Sequence, residues 1–213
     1  MKKRIFFVII GNIILGLGTA VLNLSGFGID PFTSMTYGLS SVLHIGLGIV
    51  QACVNLILLV PVALMMHKSF GVGSFINMFL LGFIVQYWGV FFGLFGITQA
   101  SLAANLPIRC LMLVLAIIIL CFGIALYMEC DLGCGPYDAL GDLIAEKSHG
   151  KIPFHWARIM LDAISSIIGL ICGLTMHITT VGLATVFIAL CTGPITSWFR
   201  RNVAARILGT KAA

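Results

Sequence analysis

Apolar residues fall in six long blocks, at residues 5–24, 49–66, 72–95, 108–128, 154–176 and 180–199, separated by clusters of Gly, Pro and polar residues. A helix rises about 1.5 Å per residue, so blocks of about 20 residues cover the roughly 30 Å of a bilayer core. The pattern predicts six membrane-spanning helices. Lys2, Lys3 and Arg4 before the first block also suit a secretory signal peptide, with Gly18-Thr19-Ala20 as small residues for cleavage. That alternative fails because the apolar run continues to Leu24 and has a counterpart at 108–128.

Two shorter amphipathic segments interrupt the blocks, at residues 25–48 and 129–153. In the first, Asp30 is a natural N-cap and Pro31 a natural first helical residue. Phe32, Met35, Leu39 and Val42 recur at helical spacing, with Thr33, Thr36, Tyr37 and Ser40 on the other face. A helix of about a dozen residues is too short to span, so it lies in the interface or re-enters. The second segment repeats the design. Gly133-Cys134-Gly135-Pro136-Tyr137-Asp138 echoes Gly28-Ile29-Asp30-Pro31-Phe32-Thr33, with Gly, Pro and an aromatic in register.

The echo extends along the chain. With small gaps, Gln51 and Asn55 fall on Arg158 and Asp162, and Gly71, Ser74 and Gly82 fall on Gly182, Thr185 and Gly193. The chain therefore reads as an all-α integral membrane protein. Its six transmembrane helices form two three-helix repeats, 1–106 and 107–199, each with a short Pro-headed interfacial or re-entrant helix, followed by a basic tail at 200–213 that is expected to fray. An odd number of spans per copy turns the second copy upside down. The first turn then faces outward and the second the cytoplasm. Inverted repeats of this kind are common in secondary transporters, whose substrate site lies near the midplane between the copies.

Composition strengthens the membrane reading. The chain is 60% hydrophobic and 9% charged, against roughly 25% charged residues in soluble domains, so lipid must be its main solvent. Its net charge of +5 does not mark a nucleic-acid binder, because the basic residues cluster at the two ends without interleaved stacking aromatics. Six spans put both termini on one side. The N-terminal cluster, Lys68, Lys147, Lys151 and the tail all fall there, with only Arg109 opposite, which predicts a cell-membrane protein with both termini cytoplasmic. Tyr87 and Trp88 suit an interfacial aromatic belt, and Gly89/Gly93 and Gly169/Gly173 suit close helix contact. The seven cysteines lie mostly within apolar runs and read as small hydrophobes. Cys130 and Cys134 lack CxxC spacing and His partners, so no metal is expected.

Candidate chemistry is sparse. Arg158 and Asp162 are one helical turn apart, and each costs roughly 2.5–3.5 kcal/mol at a helix centre on insertion scales. They read as a substrate- or proton-handling pair facing Gln51 and Asn55. The competing reading has Arg158 snorkelling to the nearby cytoplasmic surface and Asp162 as a structural partner; for Arg158 the snorkelling reading is preferred. Gly133, Gly135 and Pro136 open a helix whose start would suit an anion, although a plain turn capped by Asp138 is the simpler reading. Asp138, Asp142 and Glu146 form an acidic stripe, read as a solvated cytosolic face in preference to a cation site. No nucleophile elbow, zinc-binding HExxH or phosphate loop is present, so neither an enzymatic activity nor a cofactor is expected. The five histidines sit in turns or at span edges.

The Gly-x-Asp/Gly-Pro-aromatic turn after the first span of each half resembles the bacterial YczE/YyaS/YitT membrane-protein family, nearer its YczE branch. So does the Gly-x-x-Thr/Ser start of a later span, here Gly182–Thr185 and Gly71–Ser74. The resemblance covers nearly the whole chain and implies a fold and a location more than an activity. The reading is a small-solute transporter working by alternating access. The alternative is a non-transporting accessory or regulatory subunit, or a substrate-capture subunit of a larger transporter. Its partners would be the lipid bilayer, a small solute, and a second copy or a partner subunit.

Overall fold

The computed structural model describes residues 2–65, 71–133, 135–148, 151–176 and 181–209, apart from the Leu183 side chain. Cys134, His149, the expected turns at His67–Ser69 and His177–Thr179, and the first residue of the sixth block lie outside the described residues. Within them the chain is helical: α1 Lys2–Ser25, α2 Pro31–Leu43, α3 Leu47–Met65, α4 Val72–Leu94, α5 Gln99–Leu102, α6 Leu106–Met128, α7 Pro136–Lys147, α8 Phe154–Thr175 and α9 Leu183–Phe199. Five of these, α1, α3, α4, α6 and α8, are long and apolar enough to cross a membrane. The sixth block coincides with α9, whose 17 residues run on through a π-helical turn, Arg200–Ala204, into α10, Ala205–Leu208. The expectation of a frayed tail is corrected for residues 200–208, which are helical; residues 210–213 lie outside the described residues. Ala204 and Ala205 are buried, and Arg200 lies 3.5 Å from Glu129.

The short helices begin where local chemistry directs. Asp30 is extended, and its side chain accepts the Thr33 N–H at 3.0 Å, with Pro31 as the first helical residue. Pro136 likewise opens α7. Helices α4 and α9 start at Gly71 and Gly182, whose N–H groups donate to the Ser74 and Thr185 hydroxyls at 3.3 and 3.1 Å.

Helices α1 and α6 form the central antiparallel pair. Gly11 faces Gly123 and Tyr127, Gly18 faces Leu120, and Arg109 at the start of α6 donates to the Ser25 carbonyl at 2.7 Å. Glycine permits this approach, since a methyl at Gly123 would sit 2.5 Å from Leu15 N and one at Gly18 2.6 Å from Leu120 N. The other elements cross between halves of the chain: α2 packs on α8 and α7 on α3, while α4 lies against α1 and α9 against α6. Gly169 meets Ser34 on α2.

The two glycine turns lie at opposite ends of the α1–α6 pair and make matching contacts. Gly28, at φ +120°, lies against Gly182, with Phe27 O accepting from Ala184 N at 3.0 Å and Thr185 donating to Ile29 O at 2.7 Å. Gly133, at φ +89°, lies against Gly71 and Ser74, with Leu132 O accepting from Gly73 N at 2.7 Å. Both positions need glycine, for backbone conformation and for space.

Large apolar side chains cover the outside, among them Phe79, Phe83 and Tyr87 on α4 and Ile164 and Leu174 on α8. In water this surface would be an aggregation hazard; in lipid it is the expected coat. The close contact expected at Gly89 and Gly93 is not made among the described residues: a methyl at either meets nothing within 4 Å. Gly123→Ala is accordingly expected to cost about 1–3 kcal/mol by overpacking α1 against α6. Gly89→Ala should be neutral or stabilising by up to about 1 kcal/mol through helix propensity. Thermal unfolding of the two variants in detergent checks the contrast; equal effects would refute the packing assignment.

Candidate functional site

The first turn of α7 meets the first half of α8 inside the protein. Arg158, on α8, forms an ion pair with Asp138 and brings its Nε to 3.5 Å from Asp162 Oδ2. Its guanidinium carbon stands 4.8 Å from the centre of the Tyr137 ring. The Tyr137 hydroxyl donates to Asp162 Oδ1 at 2.7 Å and lies 3.1 Å from Ser165 Oγ. Tyr137 also packs on Phe32 of α2, with ring centres 4.8 Å apart. One guanidinium thus serves two carboxylates, and one phenol fixes the second. Buried charges need this degree of pairing and hydrogen bonding to persist.

Three expectations change. Arg158 does not snorkel: only 11% of its side chain is exposed, and it points at two carboxylates. Asp138 is not part of a solvated stripe; it is buried against Arg158, whereas Glu146 on the same helix is exposed. Nor does Asp138 cap α7, since its carboxylate is engaged by Arg158 and no side chain caps that helix start. The physical reason is the same in each case. Arg158 lies on another helix, and its charge holds α7 inward.

Above the network lies a cavity of about 70 Å³, space for several waters. The structure brings Gln51, Asn55, Arg158 and Asp162 together on its wall. Asp30, Pro31 and Asp138 join them there, so both Pro-headed helix starts reach one chamber although their glycine turns lie far apart. Gly28, Gly133, Gly135 and Pro136 do not line it: the first two pack on Gly182 and Gly71, Gly135 is pressed against Asn77, and Pro136 is fully buried. Sequence reasoning missed Asn77, which also lines the cavity and donates to Asn12 Oδ1 at 2.8 Å. Their signal was available, because each is an amide inside an otherwise apolar span. Glycine and aromatic spacing gave no comparable sign that Tyr137 would bridge the network.

Among the described residues no group of His, Cys, Asp and Glu has the arrangement of a metal site. Cys130, outside the spans, gives its thiol to Leu126 O at 3.2 Å, and burial pushes its pKa up to about 11, which leaves it unreactive at neutral pH. The arrangement is thus suited to holding a small polar or charged group away from lipid, with acceptors in excess of donors.

Arg158→Ala would leave Asp138 and Asp162 buried without a countercharge. A loss of about 3–5 kcal/mol is expected, read as a lower unfolding midpoint in detergent, with Arg158→Lys losing less. An unchanged midpoint for Arg158→Ala would show that the carboxylates do not depend on it.

Comparison with known proteins places the chain. An uncharacterized protein of Haemophilus influenzae is 27% identical over 210 residues, covering 96% of this chain and 86% of the relative. The uncharacterized protein YyaS of Bacillus subtilis is 25% identical over 162 residues, 76% of this chain and 77% of its own length, in agreement with the resemblance to the YczE/YyaS/YitT family. No solved structure matches. The match to the family of unknown function DUF6198 extends over residues 2–201, and the chain belongs to that family.

Proposed function

We propose that this multi-pass membrane protein is a small-solute transporter that works by alternating access between two inverted three-span halves. The observation that carries the reading is the polar chamber walled by Gln51 and Asn55 from one half and Arg158 and Asp162 from the other. The inverted arrangement is supported by the matching contacts of Gly28 with Gly182 and of Gly133 with Gly71 at opposite ends of the α1–α6 pair. It is also supported by the crossed packing of α2 on α8 and α7 on α3. In this reading the halves rock about α1 and α6, and the two Pro-headed helices gate the chamber from opposite sides. It treats the protein as a carrier rather than an enzyme. It also takes the Gly-Pro-aromatic turns as support for the YczE-like branch of the family.

The same reading puts both termini in the cytoplasm. Arg4 lies 3.9 Å from Asp131 and Arg200 3.5 Å from Glu129, which gathers the basic ends at one end of the bundle, with Arg109 at the other. A fluorescent protein fused to either terminus in bacteria should therefore fluoresce, and alkaline phosphatase at the same places should be inactive. The reverse pattern would invert the topology.

Purified protein in liposomes is expected to move a solute down an imposed gradient, with Asp162→Asn reducing the rate at least about tenfold through loss of a charged hydrogen-bond partner. If neither version moves anything under any gradient, the second reading takes over, an accessory or capture subunit. For that reading α4 offers an outward face, with Phe79 and Phe83 exposed and Gly89 and Gly93 open.

A further inference from the structure

The charges around the chamber do not balance. Three carboxylates line it, Asp30, Asp138 and Asp162, and among the described residues Arg158 is its only basic side chain. Arg158 is already committed to Asp138 and Asp162. Asp30 has no such partner. Its Oδ1 accepts the Thr33 N–H, while its Oδ2 is buried and without a hydrogen bond. The starts of α2 and α7 supply roughly half a positive charge each, which leaves about one negative charge uncompensated. A buried bare carboxylate is costly enough that either a proton or a cation must meet it, and burial does push the Asp30 carboxyl above its usual range.

A second observation lies across the chamber. Asn55 and Gln51, one turn apart on α3, are 6% and 9% exposed, line the same cavity, and form no hydrogen bond with the described protein. Nearly every other buried amide or hydroxyl in a folded protein has a partner. Two unused amide oxygens therefore stand around the chamber that holds an unused carboxylate oxygen. The Phe32 and Tyr137 rings line it as well, and a desolvated cation is attracted to an aromatic face.

We propose that the chamber binds one monovalent cation, an alkali ion or a small ammonium head group, held by Asp30 Oδ2 with the amide oxygens of Gln51 and Asn55. The proposal deepens the transport reading and rests on it for the purpose of the site: the cation is either the transported solute or the ion that accompanies it. The Arg158 network keeps the other two carboxylates occupied, so a single positive charge completes the set.

The test is thermal unfolding of the purified full chain in detergent, at neutral pH and constant ionic strength. Bulky N-methylglucamine chloride is replaced stepwise by sodium, potassium or methylammonium chloride. At least one of these should raise the midpoint saturably, as a ligand of the native state does. A response to an alkali ion identifies an ion site, and a response to methylammonium alone identifies an ammonium site; both support the proposal. Asp30→Asn retains the cap on α2, because Asn caps as well as Asp. It should keep or exceed the wild-type midpoint in N-methylglucamine, yet need roughly tenfold or more cation for half its response. Asn55→Ala should weaken the response in the same direction and carries the test if Asp30→Asn does not fold. The proposal is overturned if no cation shifts the wild type beyond N-methylglucamine, which would mean that Asp30 holds a proton instead. It is equally overturned if the folded variants respond at wild-type concentrations. Cation binding without flux in liposomes would leave this site standing and remove the carrier reading. Flux of a solute with no cation response would do the reverse.

Discussion

A helix that stops inside an apolar body leaves its first N–H groups without partners, and lipid offers none. Helices α2 and α7 both do this, and much of the structure follows from how their starts are satisfied. Pro31 and Pro136 remove one donor each, and both rings are buried. Asp30 takes the Thr33 N–H, and Asp138 places a carboxylate in the first turn of α7. Negative charge at a helix start is favourable, but here it is also buried, so it demands countercharge. Arg158 supplies that for one helix and not for the other.

The backbone leading into those helices has the same problem and solves it with neighbours from far along the chain. Phe27 O and Leu132 O, just before the two glycine turns, accept N–H groups from the first turns of α9 and α4. Those are carbonyls and amides that a helix start and a loop would each otherwise leave bare. Only glycine at 28 and 133 allows the required approach and the positive φ. The turns therefore lock the short helices to α9 and α4 without any side-chain contribution of their own. The α1–α6 contact, equally dependent on glycine, sets the distance between the two ends where this locking occurs.

Stability and site are consequently the same set of atoms. The Arg158, Tyr137, Asp162 and Ser165 network fastens α7 to α8, and its first three members also line the chamber. Buried ion pairs contribute little net stability compared with well-packed apolar residues. Gln51 and Asn55, also in the chamber wall, are buried without a side-chain hydrogen bond among the described residues.

Much was legible along the chain because it is set by local sums. Length and hydropathy bounded the spans to within a few residues, as α3, α4, α6 and α8 show. Asp30-Pro31 announced its own helix start, since a cap acts within three residues. Sequence also brought Arg158, Asp162, Gln51 and Asn55 forward, because an ionisable or amide group inside an apolar span is conspicuous whatever surrounds it. It misjudged Asp138, whose fate on an amphipathic helix depends on a cation twenty residues away. It misjudged Gly89 and Gly93 of α4, which satisfy a spacing rule but meet no helix among the described residues. Which side of a short helix turns inward, and which small residues are met by a neighbour, are decided by contacts between distant segments; no property of a residue and its sequence neighbours contains them.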